Sequence, residues 1–166
     1  MIDLQILKRL NAPTREQRLE HLREILPTAE FPPAVPEYIN NHILKEETLP
    51  PTGEDVNNHI HTTYSFSPYS PTAAVFAARM EGLSTAGIVD HDSIAGAREF
   101  LAAGELAGIP TTIGMECRVS MDGTILQGRR TNNPDQAGVS YMTLQGVPHG
   151  CIEALNDWFA PYRAAR

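Results

Sequence analysis

Residues 70–93 read SPTAAVFAARMEGLSTAGIVDHDS, and this stretch decides the fold. Ser70 is a helix N-cap residue and Pro71 suits the first helical position, while Gly82 marks the exit. The spacing therefore predicts a helix between them. LSTAGIVD, which follows, is apolar and short, as a buried strand is. Upstream, DVNNHIHT (55–62) alternates polar and apolar residues and reads as another strand. Downstream, DSIAGAREFLAAGELAG (92–108) reads as a helix stopped by Gly108, and IPTTIGMECRVS (109–120) as a third strand. The order β-α-β-α-β implies parallel strands joined by helical crossovers.

Sheets of this kind place their chemistry at the carboxyl ends of the strands. The first strand ends in His59 and His61, two positions apart and so on one face of a strand. The second ends in Asp90-His91-Asp92, and Glu116 falls late in the third. Three successive strands thus deliver metal-ligand residue types to one edge of the sheet. Each has a structural alternative. Asp92 or Ser93 could cap the following helix, His91 could be a hydrogen-bonded loop residue, and Glu116 could lie on a solvated face. The convergence of all three favours a divalent metal site. A set of His, Glu and Asp suits Zn, Mn or Fe better than Ca.

These residues resemble a known family. HIHTTYS, then GIVDHDS, then IGMECRV is similar to the PHP family, named for polymerase and histidinol phosphatase. The resemblance implies a partial (β/α)7-type barrel of parallel strands and a phosphoesterase with two or three divalent cations. By resemblance His59 and His61 bind the first metal and Glu116 bridges it to a second. His91 serves a third site with Asp90 nearby, and Glu116 and His91 form the catalytic core. Two departures stand out. Phe66 occupies a position where the family commonly has an aspartate. The late Asp-x-His pair of the family has no counterpart, and His149 is the only histidine after Glu116. His149, in GVPHGC, is a further candidate ligand, as is Asp92. Arg129 and Arg130 are candidate phosphate contacts, since guanidinium matches phosphate oxygens in bidentate geometry.

The predicted activity is hydrolysis of a phosphate ester, a small phosphorylated molecule or a nucleotide, by metal-activated water. Amidohydrolases share the HxH feature, so cleavage of C–N bonds is one alternative, and a non-catalytic fragment of the family is another. A module attached to a polymerase ranks low, because nothing here resembles a polymerase catalytic segment.

The rest of the chain bounds these readings. Residues 3–26 read as a short helix and then a better one from about 15 to 26, capped by Thr14 with Gln17 three residues later. Prolines crowd residues 27–53, which read as a linker or arm with a helical turn near 38–44; His21 and His42 read as solvated. The expected organisation is a helical arm and Pro-rich linker over 1–53 and the N-terminal half of a PHP domain over 54–166. A complete β/α barrel takes about 250 residues, so the expectation is the front part of a longer polypeptide, with a half-barrel completed by association or an open sheet covered by the N-terminal arm as the alternatives. Beyond Ser120 the expected features are a polar loop, an apolar segment VSYMTLQG (139–146) and a helix from about Ile152 to Phe159.

With 166 residues, 42% of them hydrophobic and 20% charged, the chain is long enough and apolar enough for a real core. A net charge of −7 argues against broad nucleic-acid binding. Two cysteines without CxxC spacing point to a reduced, cytoplasmic compartment. No run reaches the roughly 18 apolar residues of a spanning helix, and none at the N-terminus resembles a signal peptide. The expectation is a soluble protein without membrane contact.

Overall fold

The computed structural model describes residues 2–26 and 49–164. Two helices come first, Leu4–Leu10 (α1) and Arg15–Ile25 (α2). Thr14 accepts from the Gln17 N–H at 3.2 Å, and the Gln17 side chain accepts from the Thr14 N–H at 3.3 Å. This reciprocal capping is what the Thr-x-x-Gln spacing predicts. The turn expected near 38–44 and His42 lie outside the described residues. His21, expected to be solvated, is instead half-buried, with Nδ1 2.9 Å from the Arg9 carbonyl oxygen.

The α/β unit follows as Val56–Ile60 (β1), Pro71–Met80 (α3), Thr85–Ile88 (β2), Ala97–Ala107 (α4) and Thr111–Ile113 (β3). Ser70 caps α3 as predicted, accepting from the Ala73 N–H at 3.0 Å, and Pro71 opens the helix. Gly108, at φ 65, closes α4 in the left-handed conformation that glycine tolerates best. β1, β2 and β3 are parallel and lie side by side in that order. Their sheet curls as part of a barrel and does not close.

The third strand departs from expectation. The segment 109–120 does not run as one strand but divides at Gly114 into β3 and Met115–Ser120 (β4). β4 leaves the parallel sheet and pairs along its whole length with Val139–Leu144 (β5), from Met115 opposite Leu144 to Ser120 opposite Val139. This pair is antiparallel, so the expectation of parallel strands holds for the first three only. Steric close approach explains the division. A Cβ on Gly114 would lie 2.0 Å from the Leu144 carbonyl oxygen, so the chain passes that point only as glycine. The connection from β4 to β5 carries no crossover helix among the described residues, and a chain that turns straight back pairs antiparallel. A 3-10 turn, His149–Cys151, leads into the last helix, Ile152–Ala164 (α5).

The main core lies between the sheet and α3 and α4, around Phe76, Phe100, Ile88 and Ile113. Ile6, Leu10, Leu22 and Ile25 belong to the same cluster, because α1 and α2 pack on α3 and α4. An ion pair lies inside this packing. The Arg18 Nε donates to Glu99 Oε1 at 2.7 Å and its Nη2 to Oε2 at 2.5 Å. Glu99 is 2% exposed and also accepts from the Thr72 hydroxyl at 2.7 Å. The hydrogen bond to Glu99 raises the Arg18 pKa above its ordinary value, so the guanidinium stays charged. A second, smaller cluster joins Met115, Cys117 and Phe159 and seats α5 against the β4–β5 ribbon. Among the described residues no helix is long and apolar enough to cross a membrane.

Candidate metal centre

The carboxyl ends of β1 and β2 are joined by a buried aspartate. Asp90, 1% exposed, accepts from the Thr62 N–H and the Thr62 hydroxyl, each at 2.6 Å, and from the Ser65 hydroxyl at 2.6 Å. The Ser65 and Ser67 N–H groups donate back to the Thr62 carbonyl at 2.9 and 3.2 Å. The loop carrying His61 is therefore tied to the strand end carrying His91. β2 in turn meets β4. The Glu116 N–H donates to the Asp90 carbonyl at 3.1 Å, and the Asp92 N–H to the Glu116 carbonyl at 2.7 Å. These two bonds form a parallel bridge that puts His91 beside Glu116.

The side chains converge accordingly. Glu116 Oε2 lies 3.3 Å from His59 Nε2, 3.7 Å from His61 Nε2 and 3.3 Å from His91 Nε2. Three imidazoles thus meet on one carboxylate oxygen. The His61 and His91 rings stack at 4.8 Å, and His59 stands edge-on to His61 at 5.0 Å. Phe66 and Tyr141 set ring contacts on His91 at 4.7 and 5.3 Å. Exposure falls from mouth to floor: the side chain of His59 is 50% exposed, His61 26%, Glu116 14% and His91 11%. The site opens on the His59 side.

The donor set fits a divalent cation. His59, His61 and Glu116 each offer a ligand atom, and these atoms lie within 4.8 Å of one another. Two atoms bound at about 2.0–2.2 Å to one cation lie within about 4.4 Å of each other. The three imidazole-to-carboxylate distances satisfy that limit. They are also longer than charge-assisted hydrogen bonds, which run about 2.7–2.9 Å.

The other residues singled out in the sequence take different places. Asp90 has its carboxylate turned to Thr62 and Ser65. Asp92 does not cap α4, whose N-cap is Gly96; it holds a positive φ of 51° and accepts from the Arg118 backbone N–H at 3.4 Å and its guanidinium at 3.3 Å. His149 is exposed at the start of the 3-10 turn. Arg129 and Arg130 are exposed in the loop between β4 and β5, where the Arg130 guanidinium donates to the Pro134 carbonyl of the same loop. Cys117 is buried next to Glu116, and burial, with Asp92 and Glu116 adding, pushes its thiol up to about 11. It stays protonated at neutral pH.

Reading the sequence alone missed Thr62, Ser65 and Tyr141. The hydroxyls of HTTYS directly after the HxH were a legible signal for the first two. Tyr141 had none, because its approach to His91 depends on the β4–β5 register.

The profile of the PHP domain family matches residues 57–153, more than half of the chain, and the chain belongs to that family. No curated protein matches. A protein provisionally assigned as a metal-dependent phosphoesterase, from Bifidobacterium adolescentis, is 28% identical with a TM-score of 0.48; the match covers 71% of this chain and 35% of that one. An amidohydrolase from Chromobacterium violaceum, solved with sulfate and no metal, is 22% identical with a TM-score of 0.52 and coverage of 67% and 34%. The chain spans about a third of the length of each of these structures.

Proposed function

We propose that this chain carries the first part of the active site of a metal-dependent phosphoesterase. The observation that supports the reading is the meeting of His59, His61 and His91 on the Glu116 carboxylate. Bound among them, a divalent cation supplies a water of lowered pKa and offsets charge on phosphoryl oxygens. The chain's own part is positional. His59, His61 and Glu116 present the ligand atoms, and His91 and Glu116 form the floor. Phe66 and Tyr141 cover His91 with aromatic edges, and the exposed His59 side leaves the approach for an ester.

The substrate class under this reading is a phosphate ester, either a small phosphorylated molecule or a nucleotide. The test begins with metal content per chain, by mass spectrometry, beside a His59→Ala/His61→Ala double variant. About one or more equivalents, lost in the variant, is the expected result. Hydrolysis of a model phosphate ester and of a model amide by the metal-loaded chain then separates the chemistries. Cleavage of the amide alone would replace this reading with an amidohydrolase. Metal without turnover of either would make the chain a non-catalytic part of the family. Absence of metal from both proteins would remove the proposal.

A further inference from the structure

We infer that the groove between the β4–β5 ribbon and α5 docks a second copy of this chain, through a two-fold contact in which Trp158 and Tyr162 of each copy fill the groove of the other. The ribbon register puts Met115, Cys117 and Val119 of β4 on one face with Met142 and Leu144 of β5. Glu116 and Tyr141 lie on the opposite face, so the contact does not take up the metal-facing side. α5 covers part of the apolar face, where Phe159 packs on Met115 and Cys117. Its coverage stops there. Val119, Met142 and Leu144 are exposed, and on α5 Trp158 is 64% and Tyr162 58% exposed. These five side chains line a cavity of about 800 Å³.

Shape, area and charge point to a copy of the same surface as the occupant. Trp158 and Tyr162 stand four residues apart on α5, so they form one ridge along the helix, beside the cavity they help to line. A ridge and a hollow side by side are what an isologous contact needs, since each copy gives its ridge to the hollow of the other. Drug-sized molecules fill pockets of about 300–1,000 Å³, and an indole with a phenol ring is of that order. An aromatic side chain carries about 150–250 Å², so at their exposures the two rings offer roughly 200–300 Å², to which Val119, Met142 and Leu144 add. A homodimer contact of about 800 Å² per partner is roughly 65% apolar, and a patch of this size supplies most of that centre. Among the lining residues only Arg118 and Asp92 are charged, and they pair with each other at 3.3 Å. Two copies of a chain with net charge −7 therefore meet here without like charges at the centre. A strongly basic or acidic partner would find no opposite charge in the groove.

The experiment is sedimentation velocity over a wide range of chain concentrations, with the fluorescence of the same samples. The expected result is a monomer–dimer equilibrium that closes at two. Trp158 is the sole tryptophan of the chain, so its emission reports on this surface and should move to shorter wavelength as the dimer forms. Trp158→Glu and Met142→Glu place a charge in the contact from two different elements. Each should weaken association about 30-fold or more, the loss typical of a central anchor. Both side chains are exposed, so circular dichroism and unfolding midpoints should match the wild type. Ile125→Glu, at an exposed apolar residue outside the cavity lining, should leave the dimer intact. A wild type that stays monomeric overturns the inference and leaves the groove to a different polypeptide. A ladder of species beyond two, a dimer formed with no shift in emission, or one that survives both folded variants overturns it as well. Metal binding enters none of these outcomes, so the proposed function stands or falls separately.

Discussion

At the scale of single residues, the site turns on one atom, Glu116 Oε2, with three imidazole nitrogens around it. Glu116→Gln keeps the shape and removes the negative charge. It is expected to lower Zn2+ or Mn2+ affinity by at least about tenfold, since carboxylate charge is a principal attraction for a hard cation. A competition titration against a chelator reads this directly. The two thiols make a second test. Cys151 is exposed, whereas Cys117 is buried with its pKa raised to about 11. The thiolate is the nucleophile, so an alkylating reagent at neutral pH should modify Cys151 and leave Cys117 until the chain is unfolded. Mass spectrometry of the modified peptides would show one fast thiol; two would mean that the β4–β5 ribbon opens readily. The ligand types themselves were legible in the sequence, because local pattern marks the segments that carry them, although Glu116 stands at the start of β4 and not late in one continuous third strand. The role of Asp90 was not, since its partners Thr62 and Ser65 lie 28 and 25 residues away in the chain.

At the scale of elements, the turning of β4 out of the parallel sheet delivers Glu116 to the histidines. Gly114 permits it by letting the Leu144 carbonyl approach to within 2.0 Å of where a Cβ would stand. Gly114→Ala should therefore destabilise the chain by about 2–3 kcal/mol, the cost of forcing atoms into a filled space. Because β4 carries Glu116, the same substitution should also weaken metal binding. Gly108 provides the contrast. It has a positive φ of 65° and open space around its missing Cβ, so Gly108→Ala should cost about 1 kcal/mol and leave metal binding unchanged. Denaturant unfolding beside metal titration distinguishes the two. Three helix boundaries were legible because caps are local, whereas α4 begins at Ala97 and not at 92, and α5 runs past Phe159 to Ala164. Thr14, Ser70 and Gly108 each act within a few residues of themselves, and all three hold their predicted positions. The strand division was not legible. IPTTIGMECRVS is uniformly strand-like, and only contact with a segment some 30 residues later bends it.

At the scale of the whole molecule, α1 and α2 share a core with the α/β unit, and the Arg18–Glu99 pair ties them to it. Arg18→Ala would leave the Glu99 carboxylate buried without its cation, and should cost about 3–5 kcal/mol. Replacing both, as Arg18→Met with Glu99→Leu, should cost much less, because a buried pair is offset by desolvation and an apolar pair of similar volume is not. Thermal or denaturant unfolding of the two variants checks the difference; equal losses would show that the pair contributes only through packing.

The amino-acid sequence by itself determined the alternation of strands and helices, the capped helix ends at Thr14, Ser70 and Gly108, and the kinds of residue that gather at the strand ends. Those properties follow from φ/ψ preference, capping and periodicity, which act between near neighbours. The tertiary structure decided where α1 and α2 sit, which way β4 runs and what the carboxylate of Asp90 binds. An apolar stripe shows that a helix buries a face without naming what it buries against. A buried aspartate must find donors, but its sequence position does not say which. These outcomes depend on contacts between distant segments, whose close approach exists only once the chain has folded.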